Sequence, residues 1–332
     1  MKFFKLFAGL FTATAAIAET PVLTVYTYDS FVSDWGPGPV VEKVFEETCQ
    51  CDLKFVGVGD GAALLARIKL EGARSDADIV LGLDTNLIAA AAGTGLFEPH
   101  GRSIGVDIPN PFGEAGAWED ENFLPFDWGY FAFIYDNTKL NSAPDSFEAL
   151  ATSDLRIVIQ DPRSSTPGLG LLLWVKEQYG EGSPAIWAGL SDNIVTVTKG
   201  WSEAYGLFLD GEADMVLSYT TSPSYHIVAE EDQSKSAAMF PSHYMQIEVA
   251  GKLAKTDQPD LADRFLDFMV SDAFQSIIPT TNWMYPAVVP SGGLPDGFAK
   301  PIGPEQARLI APADVPSVRD EALAEWLTIL SQ

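Results

Sequence analysis

Residues 196–225, TVTKGWSEAYGLFLDGEADMVLSYTTSPSY, gather more ligand-binding chemistry than any other stretch of this chain. Trp201 follows a Lys-Gly turn, and the apolar strand from Met215 to Ser218 ends in Tyr219, Thr220, Thr221 and Ser222. A tyrosine placed there can stack on a flat ring while its hydroxyl neighbours bond the ring's edges. In open α/β sheets, ligands collect at the carboxyl ends of strands, where loops and helix starts meet. A competing reading makes Tyr219 a strand-end aromatic that covers the core.

Asp161-Pro162-Arg163-Ser164-Ser165-Thr166-Pro167-Gly168 is the second candidate. Thr166 suits the cap of a helix and Pro167 its first position. Free N–H groups and the positive dipole end, with the hydroxyls of Ser164, Ser165 and Thr166, can hold a phosphate or an alcohol. The same residues also make a capped helix start with nothing bound. Asp60, between Gly59 and Gly61, follows another strand; its carboxylate can accept from an amine or offset a cationic ring, or simply form a turn. Tyr28, Asp29 and Trp35 stand at a further strand end. Trp35 is either a wall of the site or a cover for the helix that follows. Trp283 lies in a non-helical segment, Thr281 to Pro286. Trp201, Tyr219, Tyr225 and Trp283 would make an aromatic box, each well-placed ring attracting a cation by about 0.5–2 kcal/mol. Aromatics at this density also fill ordinary cores.

Signatures of catalysis are thin. The three histidines show no metal-binding spacing, and there is no GxSxG, GxxxxGK[ST] or GxGxxG motif. Both cysteines fall in Cys49-Gln50-Cys51, a poor zinc site that reads as a local staple or a pair of buried thiols. Acidic residues outnumber basic ones 46 to 20, for a formal net charge of −26. Such a surface repels nucleic acid and anionic membranes. It can gather a small organic cation, or serve solubility alone.

The elements that must position these residues alternate. Lys2, Lys5, the apolar run Phe7 to Ile17 and the small-x-small Ala16-Ile17-Ala18 read as an export signal over 1–18, cleaved near Ala18. Buried strands are expected at Val22 to Tyr28, Leu53 to Val58, Asp78 to Leu83 and Arg156 to Gln160. Helices fall between them, so the sheet should be mostly parallel with helices on both faces. The aromatic run 123–136 and the run His243 to Ala250 read as two extended crossings between lobes. The expected division is 19–125 with 247–332 as one lobe and 126–246 as the other, closing on a ligand between them.

The blocks PVLTVYTYDSF, DWGPGPVV, DGAALLARIKLEG, ADIVLGLDTNL, FLPFDWGYFAFIYD, QDPRSSTPGLGLLLW, TVTKGWSEAYGLFL, DMVLSYTTSPSYH and IPTTNWMYP run in order along the chain. Together they resemble the periplasmic thiamine-binding proteins of bacterial ABC importers. The resemblance implies an α/β, two-lobe periplasmic-binding-protein fold of type II, with mixed, mostly parallel sheets and two hinge crossings. It also implies a monomer in the periplasm that captures thiamine, thiamine monophosphate or thiamine diphosphate for a membrane permease and its ATPase, without a resident cofactor. Carried over by motif, the ligand residues are Asp60 and Gly61, Ser165 and Thr166, Trp201, and Tyr219, Thr220, Thr221 and Ser222, with Trp35, Tyr225 and Trp283 as further candidates. Two rivals remain at this level. A ferric-ion receptor of the same fold typically presents adjacent tyrosines, whereas Tyr225 is followed here by His226. A thiamine-degrading transferase of related fold needs a nucleophilic cysteine in the cleft, and Cys49 and Cys51 end a helix away from the other candidates.

Overall fold

The computed structural model describes residues 20–109, 118–140, 142–239 and 242–330. The export signal and its cleavage point lie outside these residues. β1 (Val22–Thr27), β2 (Asp52–Gly57) and β3 (Ile79–Asp84) form a parallel set with β1 in the middle. β5 (Ile157–Gln160), β6 (Ile194–Thr198) and β7 (Met215–Tyr219) form a second parallel set around β5. Between them run two long strands, β4 (Phe123–Asp136) and β8 (His243–Leu253), antiparallel to each other. The full order is β2-β1-β3-β8-β4-β7-β5-β6.

Both crossings expected from sequence are therefore the central strand pair. β4 is buried along nearly its whole length: its first half pairs with β8, and its second half, from Phe131 to Tyr135, pairs with β7. Phe126 is the extra residue of a bulge where Glu248 pairs with Asp127 but Val249 pairs with Pro125. A bulge bends its strand and re-aims neighbouring side chains.

Helices cover both faces. α1 (Gly38–Cys49) starts beside Pro37 and ends at Gln50 in the left-handed region, a turn that faces Cys49 toward Cys51. The two cysteines are joined in a disulfide, with Cα atoms 5.2 Å apart. α2 (Gly61–Glu71) follows β2, and α3 (Thr166–Tyr179) and α4 (Ser183–Leu190) cover the second set of strands. α5 (Trp201–Leu209) and α6 (Ser222–Val228) flank β7. In α7 (Pro259–Met269) the apolar residues Leu261, Ala262, Phe265, Leu266 and Met269 recur at helical spacing and are all buried. Phe265 meets Phe45 of α1 edge to face, ring centroids 5.3 Å apart. No helix among the described residues is long and apolar enough to cross a membrane.

The last helix, α8 (Val315–Leu330), departs from the expected division. The expected division gives 247–332 wholly to the first lobe, yet α8 packs on α3 and α4 of the second. Lys176 of α3, only 9% exposed, explains the docking: its ammonium bonds Glu321 at 2.8 Å and Glu325 at 2.7 Å. Ser183 of α4 adds a bond to Glu325 at 2.6 Å.

Candidate functional site

A cavity of about 590 Å³ opens between the two sets of strands. That is within the range of about 300–1,000 Å³ usual for small-molecule sites. Seven aromatic rings line it: Tyr28, Trp35, Trp201, Tyr205, Tyr219, Tyr225 and Trp283. Asp60 and Glu248 are its two acids, and no lysine, arginine or histidine lines it among the described residues.

The second lobe supplies most of the rings. Trp201 is the first residue of α5 and stacks on Tyr205 one turn later, centroids 5.0 Å apart and 22° between planes. Its indole N–H donates to Ser218 Oγ at 2.8 Å, and Ser218 shares a 2.7 Å bond with Ser222 at the start of α6. Trp35 leans toward Trp201 from the first lobe, 6.1 Å away and 54% exposed, so it forms the rim. Tyr225 meets Trp283 edge-on at 5.3 Å. Trp283 has φ of 56°, a backbone state that bulky residues rarely adopt and that marks strain held by its surroundings. The loop thereby turns the indole into the cavity.

The floor is polar. Tyr28 donates to Glu248 Oε2 at 3.0 Å, and Tyr219 donates to Gln246 Oε1 at 3.1 Å. Asn282 spans Tyr28 Oη at 2.8 Å and Asp127 Oδ2 at 2.6 Å. Gly82, with φ of 102°, makes room for the Tyr28 ring: a Cβ there would lie 2.2 Å from Tyr28 Cδ1.

Asp60 lies where the lobes meet. It accepts from Ser165 Oγ at 2.8 Å, from Trp201 N–H at 3.1 Å and from the Thr166 backbone. Its carboxylate therefore occupies the first turns of α3 and α5 together, a seat that both helix dipoles favour for an anion. Burial still outweighs these bonds and lifts its pKa to about 6. Beside it, Gly61 N–H donates to Thr166 Oγ1 at 3.0 Å. A Cβ at Gly61 would lie 2.7 Å from that hydroxyl, so glycine permits this close approach of the lobes.

Of the twelve residues nominated from sequence, the cavity wall includes Trp35, Asp60, Thr166, Trp201, Tyr219, Ser222, Tyr225 and Trp283. Gly61, Ser165, Thr220 and Thr221 are not among its walls. The expected helix start also shifts. Thr166 is already helical, Ser165 is the boundary residue, and neither hydroxyl caps α3. Both are drawn across the cleft instead, to Asp60 and to Gly61. Sequence reasoning missed Tyr205, Glu248, Asn282 and Met284. Tyr205 carried a signal, its four-residue spacing from Trp201. Cys49 and Cys51 belong to the apolar layer beneath α1, bonded to each other and away from this cavity.

Residues 33–276 match the sequence model of the bacterial extracellular solute-binding proteins. The chain is 52% identical over 327 residues to the thiamine-binding periplasmic protein of Escherichia coli, covering 97% of this chain and 98% of that one. A solved periplasmic thiamin binding protein superposes with a TM-score of 0.87 at 50% identity, over 98% of this chain and 100% of that one. Iron-bound HitA of Pseudomonas aeruginosa superposes with a TM-score of 0.73 over 93% of this chain and 99% of that one, but at 20% identity it shares the fold alone. The chain belongs to the bacterial extracellular solute-binding proteins, and within them to the thiamine-binding periplasmic proteins.

Proposed function

We propose that this chain is the periplasmic solute-binding component of an ABC importer and captures thiamine between its lobes. The observation that carries the reading is the cavity lining: seven aromatic rings, two acids and, among the described residues, no basic side chain. Thiamine combines a permanently cationic thiazolium, a flat aminopyrimidine and a hydroxyethyl arm. Ring faces suit both heterocycles and attract the cation. A site without a cationic side chain has little to offer an anion except N–H groups. The relatives are binding proteins, and the chain acts as one rather than as an enzyme; the vitamin is cargo, and no resident cofactor is needed.

Thiamine monophosphate and diphosphate are further ligands on this reading. Their tail has one evident seat, the paired starts of α3 and α5, where Asp60 now sits. A phosphate arriving there takes over the donors of Ser165, Thr166 and Trp201 and displaces or protonates the carboxyl group. Residues 19–125 and most of 247–332 form one jaw; 126–246 with α8 form the other, hinged on β4 and β8. The monomer, exported by its signal segment, hands the ligand to a membrane permease and its ATPase.

Calorimetric titration with thiamine, its two phosphates and ferric citrate tests this. Saturable binding of thiamine and none of ferric citrate supports the proposal. No heat from thiamine or either ester contradicts it.

A further inference from the structure

Glu248 on β8 pairs with Asp84 of β3 on one side and with Asp127 of β4 on the other. Three carboxylates thus stand in one row across the centre of the sheet. Asp84 and Asp127 are fully buried, and Glu248 is 5% exposed, opening onto the cavity. Asp84 is satisfied locally, accepting from Asn86 N–H at 3.1 Å and Asn86 Nδ2 at 2.9 Å. Asp127 and Glu248 are not so separated: they stand directly opposite each other in the register of β4 and β8, and their carboxyl groups interact.

Glu248 accepts from Tyr28 Oη and, at 2.8 Å, from Gln246 Nε2. Asp127 Oδ2 takes the Asn282 amide, which leaves Asp127 Oδ1 buried without a donor. The groups facing the pair are Tyr28 beyond β1, Asp84 of β3, Tyr219 of β7, Gln246 of β8 and Asn282 of the loop before Trp283. All are neutral or acidic. Two facing carboxylates with no cation beside them cannot both stay ionised in a dry interior. Burial pushes Asp127 up to about 7 against the opposing bonds of Glu248 and Asn282, while burial and repulsion from Asp127 push Glu248 well above its ordinary range. A proton between them is the donor that Asp127 Oδ1 lacks.

We propose that Asp127 and Glu248 form a charge-reading subsite: the empty cleft holds one proton between them, and a ring with a fixed positive charge drives that proton out and replaces it. The inference rests on the thiamine reading for its ligand. One carboxyl O–H bond breaks, its proton passes to solvent, and no covalent bond forms. One positive charge enters as one leaves, so the buried site never carries two uncompensated charges. Recognition is then selective for rings whose charge cannot be titrated away. Affinity must rise with pH, by up to tenfold per unit, while the empty pair is protonated and the loaded pair is not.

The test is calorimetry of the full-length chain with thiamine near neutral pH, in phosphate and in imidazole, whose ionisation enthalpies differ. Wild type should release about one proton per ligand. Glu248→Gln and Asp127→Asn should bind more weakly, release none and lose the pH slope. Thiamine binding by wild type without proton release, or with unchanged release in either variant, overturns this inference while leaving the proposed function intact. Absence of any thiamine binding overturns both. If neither variant folds, the pH dependence of the wild-type dissociation constant decides alone: a flat profile rejects the subsite.

Discussion

The ring wall of the second lobe and the acid floor of the central strands serve one cavity by different means. The wall is local. Trp201 and Tyr205 are one helical turn apart, and Tyr219, Ser222 and Tyr225 surround the short turn between β7 and α6. The floor is assembled from Tyr28, Asp127, Glu248 and Asn282, brought together from four distant parts of the chain. Rings offer area and polarisable faces to a ligand, and they change little with pH. Buried acids offer charge at a cost in desolvation, so they must hold a proton, a partner or a ligand. Affinity should therefore belong to the wall, and dependence on pH to the floor.

That contrast can be broken most readily at Trp201. Trp201→Ala removes a stacked ring and empties the centre of the wall. It should weaken thiamine binding by well over tenfold, more than about 1.4 kcal/mol, by calorimetry. Wild-type affinity in that variant would refute the box. Asp60→Asn comes next. With the competing charge gone from the helix starts, thiamine monophosphate should gain about tenfold relative to thiamine, or about 1.4 kcal/mol. An unchanged ratio of the two dissociation constants means that the tail sits elsewhere.

The buried acids predict an effect on stability. Asp60, Asp84 and Asp127 have folded-state values raised to about 6, 7 and 7 respectively. A raised carboxyl contributes its full stability below the unfolded carboxylate range and loses it as pH climbs through the folded value. The empty protein should therefore melt at lower temperature as pH rises through about 6–7, by roughly 2–4 °C per kcal/mol lost. Asp127→Asn should flatten that slope, whereas Trp201→Ala should keep it; equal slopes in wild type and Asp127→Asn would show that the floor carries no excess proton. Trp35→Ala should matter least. The ring stands on the rim, half exposed, and its removal should cost about twofold in affinity by the same titration.

How legible each region was follows from the same difference. Periodicity and punctuation gave most of the strands, though not β6, together with the alternation with helices and the two crossings, because each is written in consecutive residues. The rings stood out beside turns. Asp127 and Glu248 did not, since one acid in an apolar strand reveals nothing until register sets it opposite another. Ser165 and Asp60 lie 105 residues apart, and no spacing rule links them. Their hydroxyl and carboxylate were both assigned to the ligand, when in this conformation they bind each other. The docking of α8 on α3 was hidden for the same reason: Lys176 finds its acids 145 and 149 residues onward.

A crystal structure of the protein loaded with thiamine puts the central claim to its plainest trial. Both heterocycles should lie inside the cavity, among Trp201, Tyr225 and Trp283, with the thiazolium facing Glu248. Thiamine lodged outside this cavity, or its thiazolium turned to solvent with the acids still paired beneath, would contradict it.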